Sequence, residues 1–154
     1  MTPSGALHIL DTRLVVHVAK GDAIGQAVVA RYNLRDRPDR PLIAITTVGE
    51  LRRLSMSRHV VWTDTQRAQL QSLLREFVVV DINNESVLAA YADIGAALDN
   101  ALNAIADRKL WVAAVAVAAG ATLLTYDTDY QLVARDRLKL VFHDRAELAG
   151  DDLA

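Results

Sequence analysis

Four carboxylates stand where a parallel sheet could gather them. Asp11 follows the apolar run Leu7 to Leu10, Glu50 stands one turn into the helix expected after Leu42 to Ile45, and Asp127 and Asp129 follow the run ending at Thr125. A cluster of this kind repels itself unless a cation sits in it, and hard oxygen ligands around water and phosphate suit Mg²⁺ or Mn²⁺. The chemistry such a site supports is metal-assisted phosphodiester hydrolysis, in which the ion activates water and neutralises charge in the transition state. Other chemistries lack their residues. The chain has no cysteine, which excludes a thiol nucleophile, a thiolate metal site and a disulfide framework and fits a reducing compartment. No P-loop or dinucleotide glycine pattern is present, and His8, His17, His59 and His143 show no metal-ligand spacing.

The carboxylates matter only if the chain brings them together. Its 154 residues, 52% hydrophobic and 23% charged, suffice for one globular domain over 1–154 and are too few for two ordinary ones. Leu7 to Leu10 reads as a buried strand running into a helix that carries Leu14, Val15 and Val18 and stops at Gly21. Asp22 caps a second helix, which ends at Asn33. A charged, proline-bearing loop from Arg35 to Pro41 leads to the strand Leu42 to Ile45, and a helix then starts at Thr46 or Thr47. Thr63 and Asp64 cap a helix with Leu70, Leu73 and Leu74 on one face, followed by a strand at Phe77 to Val80 and a turn at Asp81 to Asn84. Glu85 to Leu98 repeats its apolar residues at helical spacing. Asp107 caps an alanine-rich helix that Gly120 ends, and strands follow at Ala121 to Thr125 and Leu138 to Phe142. Apolar strands separated by helices imply a parallel sheet covered on both faces, with ligands at the C-terminal ends of its strands.

Each of these residues also has a plainer role open to it. Asp11 and Asp107 fit helix caps, Asp127 and Asp129 an Asx-type turn, and Thr47-x-x-Glu50 a capping box. Trp62 and Trp111 read as packing residues. Arg31, Arg35, Arg37, Arg40, Arg52, Arg53 and Arg58 concentrate basic charge that could steer RNA phosphates, although Asp36 and Asp39 interleave with them. The net charge of -2 argues against a strongly cationic nucleic-acid coat but leaves room for a local basic groove. Leu110 to Leu124 is too short for a membrane span, and Asp11 and Arg13 interrupt any signal-peptide core. The expectation is a cytoplasmic protein without a membrane partner.

The order and spacing of four segments carry a resemblance. Leu10-Asp11-Thr12, Thr47-x-x-Glu50-Leu51, Leu110-Trp111-Val112-Ala113-Ala114 and the stretch from Gly120 through Thr125-Tyr126-Asp127-Thr128-Asp129-Tyr130 resemble the PIN domain, particularly VapC-type toxins of toxin-antitoxin pairs. The match runs across nearly the whole chain. The resemblance implies a three-layer α/β/α domain with a central parallel sheet, a homodimer, and RNA cleavage by a carboxylate-bound Mg²⁺ or Mn²⁺ under the control of a cognate antitoxin. Asp11, Glu50 and Asp127 fall on the family's acidic positions, and Asp129 matches a neighbouring one in the same loop.

Two positions depart from the pattern, and both carry cations. Arg13 stands where the family has asparagine, and Lys109 stands where it has its third acidic ligand. Asp107, two residues earlier, lies about 200° away around a helix of 3.6 residues per turn and is a poor substitute. Arg13 and Lys109 together carry the charge of one Mg²⁺. Two readings follow. In the first, the protein is a metal-dependent endoribonuclease toxin in which Asp11, Glu50 and Asp127 hold the ion, Asp129 assists, and Arg13 and Lys109 contact phosphate. In the second, it is a non-catalytic PIN protein that binds RNA or a protein partner and uses those cations as internal counter-ions. The direction of the Lys109 ammonium discriminates between them.

Overall fold

Strands that are apolar on both sides need cover on both faces, and the chain supplies it with helices between successive strands. The computed structural model describes residues 7–36, 39–58 and 62–150; Arg37 of the basic stretch and His59 lie outside them. Five strands, β1 (His8–Leu10), β2 (Leu42–Ala44), β3 (Val78–Val80), β4 (Thr122–Thr125) and β5 (Leu140–Phe142), form one sheet in the order β3-β2-β1-β4-β5. Every pairing is parallel, with Ile9 opposite Leu42 on one side of β1 and Leu123 on the other. All five C-terminal ends therefore lie along one edge, as the sequence implied.

Alternation along the strands divides the core in two. Ile9, Leu42, Ala44 and Leu123 face a layer built on α5 (Glu85–Asn100) and α6 (Asp107–Ala119), whose buried face runs from Leu110 to Ala116. Leu10, Ile43 and Leu124 point the other way, toward α1 (Thr12–Lys20), α2 (Ala23–Tyr32), α3 (Ile45–Met56) and α4 (Asp64–Leu74), with the short α7 (Arg145–Ala149) at its rim. The result is the expected three-layer α/β/α arrangement. Among the described residues no helix is long and apolar enough to cross a membrane.

The chain's punctuation sets the helix ends. Gly21 and Gly120 take left-handed conformations at the ends of α1 and α6, where their N–H groups return to carbonyls of the last turn. Asn33 does the same for α2. Thr63 and Gln66 form the capping box of α4.

Several boundaries shift by one or two residues from expectation, and three of the shifts have a clear physical cause. Ile45 opens α3 instead of closing β2, with Ala44 at the cap position and no side-chain cap, so Thr47 lies inside the helix and makes no capping box with Glu50. Ala106 rather than Asp107 occupies the cap of α6, and the Asp107 carboxylate instead accepts from the Tyr91 hydroxyl at 2.9 Å. Leu138 is a buried core residue before β5, which begins only at Leu140. In each case a polar residue near a helix start found a tertiary partner, or an apolar residue was placed by packing rather than by the ladder.

α1 and α2 approach closely at the corner between them. A Cβ on Gly25 would collide with the backbone carbonyl of His17, whereas one on Gly49 would meet nothing. Gly25→Ala should therefore force the two helices apart and cost about 2–3 kcal/mol in urea unfolding. Gly49→Ala, in an exposed helical position, should be neutral or stabilise by up to about 1 kcal/mol. Equal effects of the two substitutions would refute the packing argument.

Candidate functional site

Each functional side chain is delivered by the end of a strand or the first turns of the helix that follows. Asp11 caps α1: its Oδ1 accepts from the Leu14 N–H at 2.8 Å, and its other oxygen accepts from the Thr125 hydroxyl at the end of the neighbouring β4. Thr125 in turn accepts from the Asp127 N–H at 2.9 Å. Asp127 caps the 3₁₀ helix Thr128–Leu132 by accepting from the Asp129 N–H at 3.0 Å. The cap and turn roles of Asp11 and Asp127 are thus real, and the same bonds hold both carboxylates at the sheet edge. Glu50 joins from α3, where Thr12 bridges the elements by bonding the Thr47 hydroxyl at 3.0 Å and Glu50 Oε1 at 3.5 Å.

Lys109 enters from the first turn of α6 with its ammonium aimed into this cluster. Its Nζ lies 2.9 Å from Asp127 Oδ2 and 2.6 Å from Asp129 Oδ2. Arg13 stands farther off, with Nε 3.9 Å from Asp127 Oδ2 and its side chain 55% exposed. Arg108, unremarked in the sequence, places Nε 3.7 Å from Glu50 Oε2 and is 57% exposed. Tyr130, three residues after Asp127 in the 3₁₀ turn, lies buried beside the carboxylates. These groups line a cleft of about 370 Å³ that contains Asp11, Glu50 and Asp127, with Val16 and Leu54 on its wall. Asp129 is held at the cleft's edge by Lys109.

Sequence reasoning therefore placed Asp11, Glu50, Asp127, Arg13 and Lys109 around one cleft and missed Arg108, Tyr130 and Thr125. Arg108 had a usable signal, because it shares with Lys109 the helix turn that reaches the strand ends. Thr125 had one too, as a polar residue closing an apolar strand beside Asp11. Tyr130 needed the 3₁₀ geometry, in which residues three apart eclipse.

The remaining histidines are held in polar clusters. His17 Nδ1 is 2.6 Å from Asp22 and its Nε2 is 3.0 Å from the Tyr126 hydroxyl, which ties α1 to the loop carrying Asp127. His143 meets Tyr32 and Arg31 behind β5, where burial and the Arg31 charge keep its pKa below the ordinary value. Trp62 is buried in the core and Trp111 stacks on Tyr91 at 3.9 Å between ring centroids.

Electrostatics treats the carboxylates differently. Burial pushes Asp11 up to about 6, against the hydrogen bonds from Thr125 and Leu14. Burial likewise raises Glu50, more than Arg108 and Thr12 lower it. Asp127 is also raised by burial, but the hydrogen bond from Lys109 and the N–H of Asp129 outweigh this and hold it below the usual carboxylate range. Burial works against the charged Lys109, yet its bonds to Asp129 and Asp127 keep its pKa above the ordinary lysine value. Burial, with Asp11, Asp127 and Glu50 beside it, drives the Tyr130 hydroxyl well up, so it stays protonated.

These residues do not fit a bound Mg²⁺ or Mn²⁺. Among the described residues no three His, Cys, Asp or Glu side chains are grouped to hold an ion. The lone pairs of Asp127 that would face a metal are bonded to an ammonium, and Asp11 gives both oxygens to protein donors. A divalent ion at about 2.1 Å from these oxygens would have to displace Lys109.

The raised pKa of Asp11 makes a signed prediction. Its folded-state pKa of about 6 exceeds the model value of 3.8, so the folded chain binds this proton more tightly than the unfolded chain. The associated stabilisation is complete at low pH and is lost as pH rises through about 6. The stability of the unmodified chain relative to Asp11→Asn, from urea unfolding, should fall by on the order of 2–3 kcal/mol between about pH 4 and about pH 7. A difference that is flat across this window would contradict the assignment.

With the geometry in place, comparison with known proteins gives it a family. The PIN domain model matches residues 8–136, which include every strand except β5 and all the site residues named above. Among curated proteins no sequence matches this chain. Solved structures do. VapBC2 from Rickettsia felis, bound to a DNA fragment from its promoter, aligns with a TM-score of 0.72 at 18% identity over 90% of this chain and 99% of that one. DNA-bound VapBC from Salmonella typhimurium gives 0.71 at 16% identity, over 89% and 98% of the two chains. VapBC-5 of Mycobacterium tuberculosis, from the VapBC family of toxin-antitoxin systems, gives 0.64 at 23% identity, over 90% and 99%. At these identities the likeness is one of fold, and together with the match over residues 8–136 it establishes that the chain belongs to the PIN-domain family.

Proposed function

We propose that this PIN-domain protein is a binding member of the VapC-like group, which engages RNA or a protein partner without metal-dependent hydrolysis. The position of the Lys109 ammonium between Asp127 and Asp129, at 2.9 and 2.6 Å, carries this reading. An ammonium supplies half the charge of Mg²⁺ to the carboxylates, and it cannot coordinate a water and lower its pKa. Arg13 adds a second positive charge near Asp127, and Arg108 a third near Glu50. Each carboxylate that would serve an ion is thereby held by protein.

The partners follow the group. The structural neighbours were solved as VapBC and other toxin-antitoxin complexes, which supports a cognate antitoxin-type protein as partner; in this reading the chain acts in the cytoplasm as one domain and as a homodimer. The endoribonuclease reading, with Asp11, Glu50 and Asp127 on Mg²⁺ or Mn²⁺ and Asp129 assisting, requires Lys109 to leave its two carboxylates.

Calorimetric titration with Mg²⁺ and Mn²⁺, paired with an RNA cleavage assay, tests the proposal. The unmodified chain should show no saturable metal binding and no metal-dependent cleavage. Lys109→Asp with Arg13→Asn should gain metal binding and a melting temperature that rises with Mg²⁺, because an ion then relieves the repulsion among carboxylates. Metal binding and RNA cleavage by the unmodified chain would overturn the proposal and restore the nuclease.

A further inference from the structure

The cations that displace a metal also change what the cleft attracts. Three carboxylates line it, Asp11, Glu50 and Asp127, but so do four cations, Arg13, Arg53, Arg108 and Lys109. Asp11 and Asp127 lie at the floor, 2% and 7% exposed, whereas Glu50 is half-buried beside Arg108 and Asp129 is partly exposed at the edge against Lys109. The arginines stand at the mouth, with Arg13 and Arg108 more than half exposed and Arg53 exposed on α3. A ligand that enters therefore meets three guanidinium groups beside the partly exposed Glu50 and Asp129, with Asp11 and Asp127 beneath them.

We propose that this cleft is a metal-free anion site that binds the phosphate of a nucleotide on Arg13 and Arg108, with Arg53 completing the rim. The inference rests on the Lys109 reading above, because a floor left unneutralised would repel the ligand.

Several observations support it. At 3.9 Å and 3.7 Å, the contacts of Arg13 with Asp127 and of Arg108 with Glu50 are longer than hydrogen bonds, so both guanidinium groups keep donors for a ligand. Two guanidinium forks facing one opening match the oxygens of a phosphate, which they can bind with paired charge-assisted bonds. Arg13 lies in the first turn of α1 and Arg108 in the first turn of α6, so the positive ends of both helix dipoles point the same way as the side-chain charge. The floor offers little opposition, since the Lys109 ammonium is paired with Asp127 and Asp129 and Asp11 is sealed beneath them with both oxygens bonded to protein donors. The volume of about 370 Å³ is that of a small-molecule pocket, and Val16 and Leu54 give a base or ribose an apolar wall.

The shared chemistry is a nucleotide phosphate, which either a free nucleotide or an RNA strand can supply. Binding to the full chain is measured in EDTA with three probes: inorganic phosphate, a nucleoside 5′-monophosphate and a short single-stranded RNA. The monophosphate should bind saturably without metal, and inorganic phosphate should compete with it. Arg13→Ala and Arg108→Ala, both at exposed positions, should each weaken binding about tenfold and flatten its salt dependence, with melting curves unchanged. Tighter binding of the strand than of the monophosphate identifies RNA as the source; equal binding identifies a free nucleotide.

Absence of saturable binding in EDTA, or binding indifferent to both arginine substitutions, would overturn the inference. The metal titration of the unmodified chain separates the two failures. A chain that binds neither metal nor nucleotide refutes the phosphate site alone, whereas one that binds nucleotide only together with Mg²⁺ refutes the Lys109 reading as well.

Discussion

Parallel strands end together, and whatever polar residues close them are forced into one another's company. Here Asp11 and Thr125 end adjacent strands in hydrogen-bonded contact, and Asp127 follows two residues later. The sheet's register makes this proximity unavoidable, so the energetic question is how the like charges are tolerated. Lys109 provides the answer for Asp127 and Asp129, and its position in turn depends on α6 packing across the sheet with its first turn at the strand ends. The helix start is an unfavourable place for a cation, because it lies at the positive end of the dipole. Only the two carboxylates make the position acceptable, which ties the placement of α6 to the charge of the loop after β4.

The site uses three separate ways of tolerating negative charge. Asp11 is sealed from water, which makes it hold its proton to higher pH against the opposing bonds from the Leu14 N–H and the Thr125 hydroxyl. Asp127 keeps its charge because an ammonium touches it. Glu50 stays half-buried with a guanidinium nearby and a threonine hydroxyl at its edge. Thr125 donates to the Asp11 carboxylate and accepts from the Asp127 backbone N–H, which holds the two carboxylates close enough for the Asp127 charge to raise Asp11. A change in the charge of either carboxylate is therefore felt by the other.

Much of this was legible in the residues themselves. The apolar strands, the caps at Asp22 and Thr63, and the stops at Gly21 and Gly120 read directly, because local chemistry decides them. So did the gathering of Asp11, Glu50 and Asp127, since sheet topology follows from the alternation of strand and helix. Asp107 and Thr47 were misplaced for a common reason: each satisfies the rule for a helix start, but Tyr91 and Thr12 respectively offer a better partner across the fold. Tyr130 was invisible because its role depends on which way the 3₁₀ turn faces, which no linear spacing states, whereas Arg108 was overlooked although it shares its helix turn with Lys109.

The identity of the fold and the chemistry of the site are decided by different residues. The sheet, its two apolar layers and the convergence of strand ends depend on positions such as Ile9, Ile43 and Leu123, and these are compatible with any charge at the edge. Which ligand the edge accepts depends on the sum of charges there, and a single side chain at position 109 can change that sum by two units if a lysine replaces an acid. Cations at 13 and 108 enlarge the change and place it at the entrance, where an incoming ion first feels it. Acids at the rim of this cleft would favour a divalent cation, whereas on the reading proposed above the cations at 13, 108 and 109 favour an anion. Structural likeness to toxin complexes at 16–23% identity therefore constrains the shape of the cleft while leaving its sign to be read from Arg13, Arg108 and Lys109.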